Sequence, residues 1–163
     1  MKTSPELSIV IPVLNEEGTI KVLVNSIEKA LQFYSYEIIF VDDGSTDSTV
    51  VTIKSLKNSF INLIVFDSNK GQSSALAAGI NLARGTYIVT IDGDFQNDPC
   101  DIPRMVHMIS NENLDMVMGI RKNRQDPILK TFPSKIANFI IRITTQLNIT
   151  DSGCGLKVMT SKV

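Results

Sequence analysis

Up to residue 91 the chain alternates apolar, β-branched runs with helical periodicities, the pattern of an α/β domain with a mostly parallel sheet. Leu7 to Val13 reads as a first strand, closed by Pro12 and the Asn15-Glu16-Glu17 cluster. Gly18 to Gln32 places Ile20, Leu23, Val24, Ile27 and Leu31 on one helical face. Glu37 to Val41 is continuous in its hydrophobicity, as a strand covered on both faces should be. Asp42-Asp43-Gly44-Ser45 follows, and Ser45, Thr46 or Asp47 can cap a helix over Ser48 to Asn58. Asn62 to Phe66 is a third strand. Ser73 to Ala83 is a helix of small residues suited to close packing, ended by Arg84-Gly85, and Thr86 to Ile91 is a fourth strand.

Beyond that point the pattern is less regular. Pro103 to Ser110 reads as a helix, Asp115 to Met118 as a short strand and Arg121 to Asp126 as a polar, basic loop. Pro133 to Leu147 has an amphipathic helical pattern and leads to Asp151-Ser-Gly-Cys-Gly. No repeat, low-complexity segment or linker divides the chain, and 163 residues suffice to bury one core, so residues 1–163 are expected to form one domain.

Composition narrows the function classes. Hydrophobic residues at 43% and charged residues at 20% are ordinary for a globular protein, and a net charge of −1 offers no electrostatic grip on nucleic acid. Cys100 and Cys154 have no metal-ligand spacing and suit a reducing compartment. The N-terminal apolar run is short and interrupted by Pro12, unlike a signal peptide. No window approaches the roughly 20 apolar residues of a membrane span. The expectation is a soluble, cytoplasmic chain, with room for peripheral association at the cytoplasmic face of a membrane.

The candidate chemistry lies in Thr86 to Pro99, where a buried strand delivers Asp92 and Asp94 on either side of Gly93. Like charges at a strand end repel and resist desolvation. Mg²⁺ or Mn²⁺, held by one or two carboxylates together with substrate phosphates, would resolve that conflict; a plain polar turn is the competing reading, since Asp and Gly are turn residues. Asn15-Glu16-Glu17 and Asp42-Asp43 fall at the carboxyl ends of two other predicted strands. Ligands of open α/β sheets bind at that edge, so three acidic clusters there describe one site.

No GxGxxG or GxxxxGK[ST] is present, which argues against a dinucleotide pocket and a P-loop. Asp42 or Asp43 could instead accept hydrogen bonds from a base or ribose, with a metal shielding the diphosphate. Lys70, Arg121 and Arg124 are cations that could meet phosphate oxygens, although the Arg121–Arg124 run also fits a solvated loop. His107, inside a predicted helix, receives no role, and no strand end carries a nucleophile paired with a base.

Taken together, SIVIPVLNEE (8–17), IIFVDDGSTDST (38–49), NKGQSSALAAGI (69–80), IVTIDGDFQNDP (88–99) and DSGCGLK (151–157) resemble the family 2 glycosyltransferases. The likeness is to the GT-A fold, a Rossmann-like, mostly parallel sheet flanked by helices. Within it the chain is similar to the polyprenyl-phosphate sugar transferases related to dolichol-phosphate mannosyltransferase. The resemblance implies that Pro12, Asn15, Glu16, Val41 and Asp43 line the nucleotide pocket, with Asp43 on the base or ribose and Lys70 nearby. It implies that Asp92 and Asp94, across Gly93, hold a divalent metal against the donor diphosphate, with Gln96 completing or supporting the site. Arg121 matches a diphosphate or acceptor-phosphate contact, and Asp151 an acidic base or acceptor-site organiser. Lys135 matches a further basic position only loosely.

The implied reaction is an inverting transfer of a sugar from a UDP- or GDP-sugar to a polyprenyl phosphate, in cell-envelope glycan synthesis. An acceptor phosphate is already ionised near neutral pH, so Asp151 can position as much as it deprotonates. Family members continue past Asp-Ser-Gly-Cys-Gly, which implies either a chain truncated at its C-terminus or a natural short form, with an incomplete acceptor side. Two other readings compete. One is a sugar-nucleotide-binding domain without turnover. The other is an Mg²⁺-dependent haloacid-dehalogenase-type phosphatase, whose motif wants Thr or Val where Gln96 stands and opens its domain.

Overall fold

The computed structural model describes residues 4–120 and 153–162. Along the chain it runs β1 (Leu7–Val13), α1 (Ile20–Ala30), β2 (Tyr36–Asp42), α2 (Thr49–Ser55), β3 (Ile61–Val65), α3 (Gln72–Leu82) and β4 (Tyr87–Thr90). A 3-10 turn (Pro99–Asp101), α4 (Ile102–Asn111), β5 (Met116–Met118) and β6 (Lys157–Thr160) follow. The sheet order is β3-β2-β1-β4-β6-β5. The first four strands are parallel, and β6 lies antiparallel between β4 and β5.

Every residue of β1 is buried, because helices cover both faces of the sheet at its centre. Leu7, Ile9, Ile11 and Val13 face a core shared with the apolar stripes of α1 and α4, which carry Ile20, Leu23, Ile27, Ile102, Met105 and Ile109. Val10, Ile39 and Val41 face α3 on the other side, against Ala75. The period of two along each strand thus feeds two separate cores. The small residues of α3 permit a close approach to the sheet: a Cβ on Gly79 would collide with Val10 Cγ1 and press on Val41 Cγ2.

Pro12 lies inside β1, paired with Val41 of β2, rather than ending the strand. The pairing of β1 with β4 stops at Val10↔Thr90, two residues earlier, so the missing N–H of Pro12 breaks no ladder bond on that side. Most other predicted elements are present with ends shifted by one to a few residues, and the predicted strand 37–41 lengthens to take in Asp42. The strand β6 was not expected. Its four residues depend on β4 and β5 as partners, and no local pattern announces them. The expected loop 121–126 and helix 133–147 lie outside the described residues.

At the amino ends of the strands, a buried carboxylate ties the sheet together. Glu37 accepts hydrogen bonds from Ser8 Oγ at 2.8 Å, from the Arg84 backbone N–H at 3.0 Å and from Asn62 Nδ2 at 3.2 Å. The Arg84 guanidinium closes on Glu37 Oε2. Burial raises the Glu37 pKa, but the hydrogen bonds from Arg84 and Ser8 and the Arg84 charge outweigh it, and the net displacement is downward.

Candidate active site

Strand order reverses between β1 and β4: the chain steps outward through β2 and β3, then returns to the far side of β1. A cleft of about 340 Å³ opens at the carboxyl ends of the strands there, as the rule for open α/β sheets requires. Its wall comes from four segments: Pro12, Val13, Leu14 and Glu16 at and beyond the end of β1, Asp43 after β2, Asn69, Gly71 and Gln72 at the start of α3, and Asp92 to Asp94 after β4. The three acidic strand ends therefore converge. Glu16, Asp43, Asp92 and Asp94 all line the cleft, and no Lys or Arg does among the described residues.

Asp43 is buried and serves the turn before α3. Its Oδ1 accepts the Lys70 N–H at 2.7 Å and its Oδ2 the Gly71 N–H at 3.0 Å. The neighbouring Asp42 faces its own loop and accepts the Ser45 N–H at 3.0 Å, while its buried Oδ1 has no hydrogen-bond partner among the described residues. Gly44 takes φ +81° between these acids and Ser45, and a Cβ there would meet the backbone of Ser68 and Asn69.

Asn15 adopts a left-handed backbone (φ 57°) and bridges two loops. Its N–H donates to Ser45 Oγ at 2.9 Å and its Oδ1 accepts the Thr46 N–H at 2.8 Å. Asn15 therefore shapes the rim without lining the cleft. The expected cap of α2 is shared: Asp47 Oδ1 accepts the Thr49 N–H and Glu17 Oε2 the Ser48 N–H. Glu16 does line the cleft. Thr19 Oγ lies 3.2 Å from its carboxylate and 2.8 Å from the Gly93 carbonyl, which joins the β1 loop to the Asp92–Asp94 turn. Burial, opposed by Thr19 and reinforced by the charges of Asp94 and Asp47, raises the Glu16 pKa.

Asp92 is half-buried and Asp94 exposed. Gln72 Nε2 donates to Asp92 Oδ1 at 2.8 Å. Gly155 also packs against Asp92, so closely that a Cβ would overlap its carboxylate. The Gly155 carbonyl accepts Thr90 Oγ1 at 2.8 Å, and Cys154 Sγ lies 3.3 Å from Asn97 Oδ1, fixing this segment beside β4. Asp94 Oδ1 accepts the Gln96 N–H at 3.1 Å across Phe95, whose φ is 61°.

Several expected positions behave differently from a simple pocket lining. Val41 is fully buried in the core beneath α3. The Lys70 ammonium lies 4.7 Å from the Phe66 ring centre, a cation–π contact outside the cleft wall. The Gln96 side chain is exposed and also lies outside the wall. Arg121, Arg124, Lys135 and Asp151 lie outside the described residues. Gln72 and Gly155 fall inside the motifs 69–80 and 151–157, but neither there nor at Thr19 does the local sequence mark the contacts made, which join distant segments.

Among the described residues no group of three or more His, Cys, Asp or Glu side chains could hold a metal ion. The pair Asp92 and Asp94 nevertheless suits Mg²⁺ or Mn²⁺, which use one or two carboxylates and take their remaining ligands from phosphate and water. No disulfide joins exposed Cys100 to buried Cys154. No described helix is long and apolar enough to cross a membrane.

A family model described as glycosyl transferase family 2 matches residues 8–163. The chain is 41% identical over 166 residues to a dodecaprenyl-phosphate galacturonate synthase from Rhizobium johnstonii, covering 98% of this chain and 49% of that protein. It is 39% identical over 157 residues to an undecaprenyl-phosphate 4-deoxy-4-formamido-L-arabinose transferase from Yersinia pestis, covering 93% and 48%. The chain thus spans about half the length of the curated relatives it matches. Among solved structures, glucosyl-3-phosphoglycerate synthase from Mycobacterium tuberculosis, in complex with Mn²⁺, UDP and phosphoglyceric acid, superimposes with a TM-score of 0.77 at 22% identity. That match covers 97% of this chain and 56% of the other, and it establishes a GT-A-type fold. The phosphatase reading falls with the family match, and the chain belongs to glycosyl transferase family 2.

Proposed function

We propose that this chain carries the donor-binding and catalytic region of a polyprenyl-phosphate glycosyltransferase, using a UDP- or GDP-sugar and Mg²⁺ or Mn²⁺. The observation that carries this reading is the charge of the cleft. Four carboxylates line it, with no Lys or Arg among the described residues, and a divalent cation would supply countercharge between them and an entering nucleoside diphosphate. The names of the 41% and 39% identical relatives support polyprenyl phosphate as the acceptor.

Asp92 and Asp94 would hold the metal, with Gln96 as the expected supporting ligand. When bound, the metal neutralises charge on the diphosphate leaving group. Asp43 would receive the base or ribose beside the turn that its carboxylate fixes, and Pro12 and Glu16 would complete the wall. An acceptor phosphate oxygen attacks the anomeric carbon in line. The new glycosyl C–O bond forms as the bond to the donor diphosphate breaks, inverting configuration and releasing nucleoside diphosphate. The phosphate arrives ionised, so proton removal is a minor demand. Arg121 and Asp151 are the proposed contacts on the phosphate and acceptor side. Work on a polyprenyl phosphate would place the site at the cytoplasmic face of a membrane, in cell-envelope glycan synthesis.

A thermal-shift panel of UDP- and GDP-sugars with Mn²⁺ or Mg²⁺ tests the donor side, because a ligand of the folded state raises its stability. One nucleotide series should stabilise the chain only with metal. Absence of a shift with every pair would overturn the reading. Sugar transfer to undecaprenyl phosphate by the full-length protein tests the acceptor.

A further inference from the structure

Asp92 reaches the cleft between two neighbours from distant parts of the chain. Gln72, the first residue of α3, donates its Nε2–H to Asp92 Oδ1 at 2.8 Å. Gly155 packs against the same carboxylate. Gln72 is held in turn: the two preceding backbone N–H groups, of Lys70 and Gly71, are bound to the two oxygens of buried Asp43. A continuous link therefore runs from Asp43 at the end of β2, through the 70–72 turn, to Asp92 at the end of β4.

We propose that Gln72 is a positioning residue for the metal site, fixing the Asp92 carboxylate through its carboxamide N–H. This inference rests on the assignment of Asp92 as a metal ligand. A neutral donor suits the task. It occupies Oδ1 and fixes the carboxylate rotamer without bringing a positive charge of its own. A Lys or Arg at the same point would compete with the metal. Outer partners of this kind set ligand orientation and basicity, and their loss costs about 10–100-fold in metal affinity.

The test is an electron paramagnetic resonance titration of Mn²⁺ into the 163-residue chain, alone and with UDP or GDP, comparing the parent with Gln72→Met. Methionine keeps the length of the side chain and lacks the N–H. Mn²⁺ should bind about tenfold more weakly to the variant, with a changed bound-ion spectrum and an unchanged Tm. Gln72→Ala carries the same expectation should the Met variant fail to fold. Parent-like affinity in the variant overturns the positioning role alone. Weaker binding that merely tracks a fallen Tm also overturns it, in favour of a general structural role. A parent chain that binds no Mn²⁺ under any of these conditions overturns the metal-site assignment and this inference together.

Discussion

Gly155 and Asp92 are in direct apposition: the backbone of the segment leading into β6 forms the wall against which the Asp92 carboxylate rests. A methyl group at position 155 would occupy the space of that carboxylate. Gly155→Ala must therefore displace the Asp92 carboxylate or lift the start of β6 away from Thr90. Overpacking of this kind costs about 1–3 kcal/mol. Urea unfolding should show a loss in that range, and the variant should also lose metal-dependent nucleotide binding because Asp92 has moved.

Asp94 contrasts with Asp92 in being exposed, with its Oδ1 committed to the local Gln96 N–H. Asp94→Ala should leave the fold intact, with the circular dichroism of the parent. The stabilisation by nucleotide plus Mn²⁺ should vanish. At ligand concentrations of about 100 times Kd, that is a lost Tm increment of roughly 5–10 °C.

Acid sensitivity should originate at the other end of the sheet. The Glu37 pKa is displaced downward: burial, the largest single influence, raises it, but Arg84 and Ser8 together lower it further. A carboxylate depressed below its unfolded value of 4.5 contributes stability above pH 4.5, which is lost as pH falls through the folded value. Glu37→Gln should cost about 1–3 kcal/mol at pH 7, because Arg84 and Ser8 lose a charged acceptor. It should also flatten the decline in stability below pH 4.5. Chemical denaturation of both proteins across pH 3–7, a range of about four units spanning ordinary carboxylate titration, gives the comparison.

Gly79 sets two opposing effects against each other. Alanine in a helix interior is favoured over glycine by roughly 0.5–1 kcal/mol. Its Cβ here would collide with Val10 Cγ1, on a fully buried strand residue with no room to yield. The overpacking cost of about 1–3 kcal/mol should prevail, giving net destabilisation on the order of 1 kcal/mol. Combining Gly79→Ala with Val10→Ala should cost less than the sum of the two single changes, which a double-mutant cycle in urea measures.

The parallel half of the sheet was legible because each strand carries its own evidence: an unbroken apolar run in 38–41, and Thr86 to Ile91 ahead of Asp92. The convergence of Glu16, Asp43, Asp92 and Asp94 followed from topology, since parallel strands place their carboxyl ends on one edge. Contacts between distant segments were not legible. Nothing near Gln72 marks it as a partner of Asp92, and nothing near Lys70 tells that its ammonium sits over the Phe66 ring. The four residues of β6 are too few to show a period, and their identity as a strand lies in the edges of β4 and β5.

The insertion of β6 between β4 and β5 has a consequence for biosynthesis. As the chain leaves the ribosome, β1 to β4 and β5 emerge before Lys157, so the outer edge of β4 must wait with its backbone donors and acceptors unpaired. An open edge of that kind recruits other chains. Translation stalled ahead of Lys157 should release an aggregation-prone intermediate for chaperones to hold. The same late strand brings Gly155 to Asp92, so the Asp92 carboxylate gains its wall only when the sheet closes.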